Sequence, residues 1–231
     1  MKVISEQLRS VLYEAGAKLV GFADLKDSVE GNLIYGAAVV VPIPIPIIQA
    51  IQDGPTKEYL DTYHELNAKL DAIVTSGAKF LEQEGYEALA QTTSVVVWEE
   101  GFRTKLPHKT VATRAGLGWI GKSCLLVTPE YGSAVRISSL LTNAPLSCAQ
   151  PIETSRCNTC HACVDICPAN ALTGVLWNPQ IDRSKLLLEK SCKQKQLEIM
   201  RERTGIEADL CGQCFVVCPY TRKYVKSSAV F

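Results

Sequence analysis

The amino-acid sequence predicts an α/β (α+β) protein, in which helices cover a sheet and a smaller cysteine-rich module is appended. Two observations support this prediction. Helical and strand-like patterns alternate through residues 1–150, whereas eight of the ten cysteines are concentrated between residues 151 and 231. We therefore predict an α/β domain over residues 1–150 and a cysteine-rich domain over residues 151–231. A chain of 231 residues is long enough for one sizeable core and a small second module.

Amphipathic spacing and end signals predict the helices. The first helix is predicted to be capped at Ser5 and to end at Gly16. A long helix is predicted over residues 56–84, because apolar side chains recur there every three or four positions. Residues 107–114 are predicted to form a short helix, and the highly charged segment 182–203 a helix exposed to solvent.

Short apolar runs predict the strands. Residues 37–41 form a continuous apolar run, rich in β-branched side chains, of the kind that is buried on both faces. Prolines follow at positions 42, 44 and 46, and they predict an extended segment outside the hydrogen-bonded ladder. Further strands are predicted at residues 17–23, 95–98, 125–127 and 135–141.

Charge and hydropathy exclude some classes of protein. The chain carries 24 basic and 24 acidic residues, so its net charge gives no support to binding a polyanion. No apolar run approaches the roughly 18 residues that span a bilayer, which predicts a soluble protein. The first residues do not form an apolar signal segment, so we expect a reducing, cytoplasmic location.

The cysteine spacing predicts iron–sulfur clusters and therefore electron transfer. The run C-x2-C-x2-C-x3-C-P begins at Cys157, and the shorter run C-x2-C-x3-C-P begins at Cys211. In paired runs of this type, three cysteines bind one [4Fe–4S] cube and the fourth binds the neighbouring cube. The first cluster is accordingly assigned to Cys157, Cys160, Cys163 and Cys218. The second cluster is assigned to Cys167, Cys211, Cys214 and one further thiol.

The second run lacks a cysteine at its first position. Ala208 stands where a complete run would place a thiol, so another cysteine has to supply it. Cys192 is the nearest candidate, and we predict that it is the fourth ligand. Cys124 and Cys148 precede both runs and are expected to be small buried apolar side chains.

Zinc and disulfide frameworks are the alternatives to clusters. Zinc sites usually pair two short cysteine motifs and do not place four cysteines in eleven residues before a proline. Disulfides require an oxidising compartment, which the sequence does not indicate. Clusters are therefore the preferred interpretation.

A glycine-rich motif resembles a dinucleotide-binding fingerprint but occurs in the wrong context. Gly116, Gly118 and Gly121 satisfy G-x-G-x-x-G. The fingerprint has to follow a strand and open a helix, with an acidic residue about twenty positions later. Here the glycines follow a predicted helix, and residues 139–142 contain no acid. The simpler interpretation is a glycine that ends the helix and begins a tight loop.

One distinctive feature is the stretch HKTVATRAGLGWIGK at residues 108–122, and a second is the pair of cysteine runs with a lone cysteine between them. Together they resemble the epoxyqueuosine reductase family, which is related to the corrinoid iron–sulfur reductive dehalogenases. The resemblance implies a nitroreductase-like, corrinoid-binding sandwich beside a ferredoxin-like domain with two [4Fe–4S] clusters. In that family the clusters pass electrons to a base-off cobalamin, which removes the epoxide oxygen from a modified tRNA base. The resemblance also implies which residues line the cofactor pocket: Arg114, Gly116, Leu117, Gly118, Trp119, Gly121 and Lys122. Trp119 is expected either to shield a planar cofactor or to belong to the core.

The sequence departs from the family in two respects. The family carries a proton-donating aspartate upstream of the loop, whereas residues 101–108 contain no carboxylate here, and His108 is the remaining candidate for proton transfer. The family also continues into a C-terminal region that helps to hold tRNA, whereas this sequence ends 13 residues after Cys218. We therefore do not expect tRNA as a partner.

Two functions follow from these observations. The first is a cobalamin-dependent iron–sulfur oxidoreductase, with FMN as the alternative cofactor. The second is an electron-transfer protein or reductive activator that serves a separate corrinoid or flavin protein. Either function requires a low-potential electron donor such as ferredoxin or flavodoxin, and neither involves a membrane.

Overall fold

The computed structural model describes residues 2–95 and 104–227. Contacts within the chain define two units, and neither is a continuous segment. The first unit comprises Met1–Pro42, Glu65–Gly118 and Arg136–Ile152. The second unit comprises Ile43–His64, Trp119–Val135 and Glu153–Phe231. The division of the chain after residue 150 stays a prediction, because these units exchange segments along the sequence.

The strands confirm the mixed α/β class. Their bounds are Leu19–Asp24 (β1), Tyr35–Pro42 (β2), Ala88–Ala90 (β3), Trp119–Ile120 (β4), Leu126–Val127 (β5) and Val135–Thr142 (β6). The larger sheet has the order β1-β2-β6-β3, in which β1 is antiparallel to β2 and β3 is antiparallel to β6. The six central residues of β2 are buried, as the apolar run predicted. Strands β4 and β5 form a separate antiparallel pair.

Helices occupy much of the remaining chain. Their bounds are Lys2–Glu14 (α1), Ile45–Ala50 (α2), Lys57–Gln83 (α3), His108–Arg114 (α4), Ala162–Asp165 (α5), Glu189–Thr204 (α6), Gln213–Val216 (α7) and Pro219–Ser227 (α8). A single 3₁₀ turn at Arg183–Lys185 precedes α6 in the described region. The predicted long helix is confirmed as α3, and the charged segment forms α6 with only Met200 fully buried. Within residues 2–95 and 104–227, no helix combines the length and apolarity needed to cross a bilayer.

The core of the first unit lies between its sheet and the helices. In α1, Leu8 and Leu12 are fully buried. A Cβ added at Gly77 of α3 would lie 2.7 Å from side-chain atoms of Leu12 and Leu140. The glycine therefore permits close packing of α3 against α1 and β6. On the same unit, α4 packs against β1 and β2.

Two local predictions were wrong, and a third concerns residues outside the described ranges. Ser5 does not cap α1, because it lies inside the helix, where its hydroxyl accepts a hydrogen bond from the amide of Ser147 at 2.8 Å. The proline segment does not stay extended, since α2 begins at Ile45 with Pro46 in its first turn, a position that tolerates proline. The predicted strand at residues 95–98 falls almost entirely outside the described residues.

The second unit is built around short helices. The side chain of Gln213 in α7 donates to the carbonyl oxygen of Ile51 at 2.9 Å. The ring of Tyr59 meets Phe215 of α7 edge-on, with centroids 5.9 Å apart. Gly132 has φ +61° and lies so close to the backbone of Thr221 in α8 that a Cβ would not fit. These contacts hold α7, which carries Cys214, and α8, which begins directly after Cys218.

Candidate metal centre

All eight cysteines predicted as ligands lie in the second unit. Helices carry three of them, because Cys163 lies in α5, Cys192 in α6 and Cys214 in α7, and Cys218 lies directly before α8. All ten cysteines lie within residues 2–95 and 104–227, where none of them forms a disulfide, and these eight are partly exposed. The structure therefore gathers both cysteine runs, and the lone cysteine between them, in one unit.

The first group of thiols surrounds a small cavity. Cys157, Cys160, Cys163 and Cys218 line a space of about 60 Å³. Burial, together with the neighbouring thiols of Cys157, Cys218 and Cys160, raises the pKa of Cys163 to about 11. These four cysteines are the set predicted for the first cluster.

The second group includes the lone cysteine. Burial, together with the nearby thiols of Cys167 and Cys211, raises the pKa of Cys192 to about 11, while a hydrogen bond from Gln196 opposes the shift. The Gln196 amide nitrogen lies 3.1 Å from the sulfur. Ala208, which occupies the missing position of the second run, is half-buried between α6 and α7. Cys192 therefore lies near the thiols of Cys167 and Cys211, and its role as the fourth ligand stays a prediction.

Cys214 connects the two groups. Burial raises its pKa well above the ordinary value, and the thiols of Cys211, Cys192, Cys163 and Cys167 act in the same direction. Three of these belong to the second group and one to the first. Cys214 also lines the cavity of the first group. The two groups therefore adjoin, which is the arrangement that transfer of electrons between them requires.

The donor set fits iron–sulfur clusters. Four thiolates bind four different iron atoms of a cube, so they need not converge on one point. Within residues 2–95 and 104–227, no three His, Cys, Asp or Glu side chains converge to hold a single ion. Crowded thiols with raised pKa values lose their protons when metal binds, since thiolate is the binding form.

Lys122 and His161 belong to this site and were not predicted there. The ammonium group of Lys122 donates to the carbonyl oxygen of Asn158 at 2.9 Å and contacts Nε2 of His161 at 3.1 Å. Asn158 follows Cys157, and His161 lies between the second and third cysteines of the run. The position of His161 inside the run was the available sequence signal.

Trp119 and Gly121 pack against the same part of the second unit. Trp119 is fully buried, its ring meets Tyr220 at a centroid distance of 5.0 Å, and the guanidinium of Arg156 lies 5.3 Å from its centroid. The indole nitrogen has no hydrogen-bond partner among the described residues. A Cβ at Gly121 would lie 3.5 Å from the sulfur of Cys157. Trp119 is thus a core residue, and Gly121 allows the chain to approach a predicted ligand.

The earlier residues of the loop lie in the first unit. The Arg114 guanidinium donates to the carbonyl oxygen of Asp24 at 2.7 Å. Gly116 has φ +70° and ends α4, as the helix-stop interpretation predicted. Leu117 packs against Gly21, and Gly118 is buried. The role of the loop in a corrinoid or flavin pocket stays a prediction.

His108 begins α4 in the first unit. The Ser139 hydroxyl donates to Gln91 at 2.5 Å and so accepts a hydrogen bond from Nδ1 of His108, which lies 2.9 Å away. Burial, together with the charge of Arg136, lowers the pKa of His108 to about 4, while Asp71 opposes the shift. The imidazole is therefore neutral at pH 7, with its proton on Nδ1. In this state Nε2 has no proton to donate.

The two cysteines outside the runs differ. Cys124 is 3% exposed, as predicted for a small apolar side chain. Cys148 is only half-buried, although burial raises its pKa to about 11. The prediction of a buried side chain is therefore wrong for Cys148, because its segment lies near the surface of the first unit.

Residues 156–221 match a family described as a 4Fe–4S double cluster binding domain. The match begins one residue before Cys157 and ends three residues after Cys218. It thus includes both groups of thiols and the segment that carries Cys192. This finding assigns 4Fe–4S binding to the segment.

Known proteins extend the similarity toward the N terminus. An epoxyqueuosine reductase of Bacillus anthracis is 38% identical over 116 residues, which cover 50% of this chain and 30% of that protein. The Bacillus subtilis epoxyqueuosine reductase is 29% identical over 232 aligned positions, which cover 93% of this chain and 56% of that protein. The chain therefore aligns with 30% and 56% of the lengths of these two relatives.

A solved structure shows the same fold. A reductive dehalogenase, whose structure is described as suggesting a mechanism for B12-dependent dehalogenation, superposes with a TM-score of 0.70. The superposition covers 96% of this chain and 33% of the dehalogenase at 17% identity, so the likeness concerns the fold. The chain thus resembles the epoxyqueuosine reductases in sequence, shares its fold with a reductive dehalogenase, and carries a 4Fe–4S double cluster binding segment.

Proposed function

We propose that this chain is an iron–sulfur oxidoreductase with two [4Fe–4S] clusters. The first cluster would be bound by Cys157, Cys160, Cys163 and Cys218, and the second by Cys167, Cys192, Cys211 and Cys214. The observation that carries the proposal is the presence of two adjoining groups of four thiols in the second unit. Two cubes in such an arrangement form a short path for single electrons.

The proposed destination of the electrons is a cobalamin associated with the N-terminal part of the chain. Similarity to the epoxyqueuosine reductases supports this proposal, and so does the B12-dependent dehalogenase that shares the fold. A low-potential donor such as ferredoxin or flavodoxin would supply the electrons. When bound, a reduced corrinoid would supply the reductive chemistry, while the chain would bind and insulate the clusters. The proposed reaction is a reduction, as the names of the similar epoxyqueuosine reductases suggest.

Anaerobic reconstitution with iron and sulfide tests the clusters. We expect about eight iron atoms per chain, because each of two cubes holds four. Replacement Cys192→Ala is expected to reduce this to about four, since one cube loses a ligand. The matched control is Cys148→Ala, which removes a thiol from the first unit and should retain the full iron content. Two equivalents of zinc and no iron in anaerobically purified protein would contradict the proposal.

Addition of cobalamin to the reconstituted protein tests the destination. We expect the corrinoid to elute with the protein in size exclusion and its absorption spectrum to shift. If neither occurs while eight irons are present, the corrinoid part of the proposal is wrong. The function would then be that of an electron carrier for a separate corrinoid or flavin protein. A yellow chromophore that survives removal of the clusters would instead indicate flavin.

A further inference from the structure

Lys122 is a buried cation beside the first group of thiols. Its side chain belongs to a residue that is 3% exposed, and it lines the same cavity as Cys157 and Cys163. Its two acceptors, the Asn158 carbonyl oxygen and the His161 imidazole, are uncharged groups. Among residues 2–95 and 104–227, no carboxylate lies within ion-pair distance of it. Within the described part of the chain the positive charge therefore has no counter-charge in its contacts, although burying such a charge is costly.

The same lysine holds the loop that carries three predicted ligands. Asn158 has φ +45°, a conformation that turns its carbonyl toward Lys122 directly after Cys157. The His161 ring rests against Gly174, where an added Cβ would lie 3.3 Å from the imidazole. An imidazole fixed in this way accepts the hydrogen bond from Lys122 through Nε2 when its proton is on Nδ1. The ammonium group is thus fixed in position beside the cavity.

A cluster in this cavity would supply the missing counter-charge. Thiolate-bound cubes carry negative charge, and each one-electron reduction adds another. We propose that Lys122 raises the reduction potential of the first cluster, because a fixed cation stabilises the reduced state more than the oxidised state. This inference rests on the proposed function, since it requires the cluster. It assigns Lys122 to the iron–sulfur centre, in place of the corrinoid-pocket role that the resemblance implied.

The test is a redox titration followed by electron paramagnetic resonance. Cys192→Ala protein is used as the background, so that only the first cluster contributes a signal. Replacement Lys122→Met keeps the length of the side chain and removes its charge. At a fixed potential we expect the ratio of reduced to oxidised cluster to fall about tenfold, which corresponds to a midpoint about 59 mV lower for a one-electron couple. The donor reduces the cluster by one electron, and no covalent bond changes.

Two controls separate charge from structure. Lys223→Met removes an exposed lysine of α8 in the same unit, and its midpoint should equal that of the background. Lys122→Arg keeps the charge and should restore the midpoint. If Lys122→Met does not retain about four irons, Lys122→Gln, which keeps a hydrogen-bond donor, is titrated in its place. An unchanged midpoint in a neutral variant with an intact cluster would overturn the inference. Absence of any cluster signal in the background protein would instead contradict the proposed function.

Discussion

Replacing His108 is expected to make the protein less sensitive to mild acid. Burial lowers the pKa of this imidazole from 6.5 to about 4. In the unfolded chain the ring binds a proton as the pH falls below 6.5, whereas in the folded chain it does not until about pH 4. The contribution of His108 to the free energy of unfolding is therefore fully present above pH 6.5 and is lost as the pH falls from 6.5 toward 4.

The expected magnitude follows from the two pKa values. One pKa unit corresponds to 1.36 kcal/mol, so complete protonation of His108 in the unfolded state alone would lower the free energy of unfolding by about 3.4 kcal/mol. Between pH 7 and pH 5 the loss is roughly 2 kcal/mol, because only part of this titration interval is crossed. The variant His108→Asn keeps a donor near Nδ1 for Ser139 and removes the titration. Between pH 7 and pH 5, the free energy of unfolding of the variant should thus fall by roughly 2 kcal/mol less than that of wild type.

The assay is anaerobic urea denaturation at pH 7, 6 and 5, followed by circular dichroism. Comparing wild type with variant at each pH cancels the acid sensitivity of the rest of the protein. His64→Gln is the control, because His64 is exposed, and it should follow wild type. If His108→Asn loses as much stability as wild type between pH 7 and pH 5, the assignment of a buried, neutral imidazole is wrong.

Two further substitutions test the second unit. In the Cys192→Ala background, Ala208→Cys restores the first position of the second run, so the iron content should return from about four to about eight atoms per chain; an unchanged iron content would show that position 208 does not reach the site. Gly132→Ala should destabilise the fold by roughly 2 kcal/mol or more, because φ is +61° and the backbone of Thr221 occupies the space of a Cβ. Gly205→Ala, with φ +73° and open space around it, is the thermal-denaturation control, and an equal loss in both variants would refute the packing argument.

The sequence predicted regular elements well where local pattern and burial agree. The apolar run of β2 and the periodic α3 are confirmed, because each is dictated by residues within the element itself. The 4Fe–4S segment was also predictable, since cluster binding imposes an exact spacing on adjacent cysteines. In contrast, β3 has only three residues, and pairing with β6, a distant strand, stabilises it.

The glycine loop shows the limit of sequence reasoning. Its glycines were correctly expected to end a helix, yet its last residues lie in the second unit and its first residues in the other. The partner of Lys122 is a backbone carbonyl at Asn158, which no side-chain pattern reveals. Ser5 illustrates the same difficulty, because its acceptor role depends on Ser147, far along the chain. Contacts of this kind are decided by tertiary packing.

Helix α7 has only four residues, yet residues distant in sequence hold it on two sides. Its Gln213 is bound to the carbonyl of Ile51, and its Phe215 packs on Tyr59. Cys214, which adjoins both groups of thiols, therefore sits on a rigid support. In a chain that holds both clusters, an electron would cross between them without waiting for a conformational change.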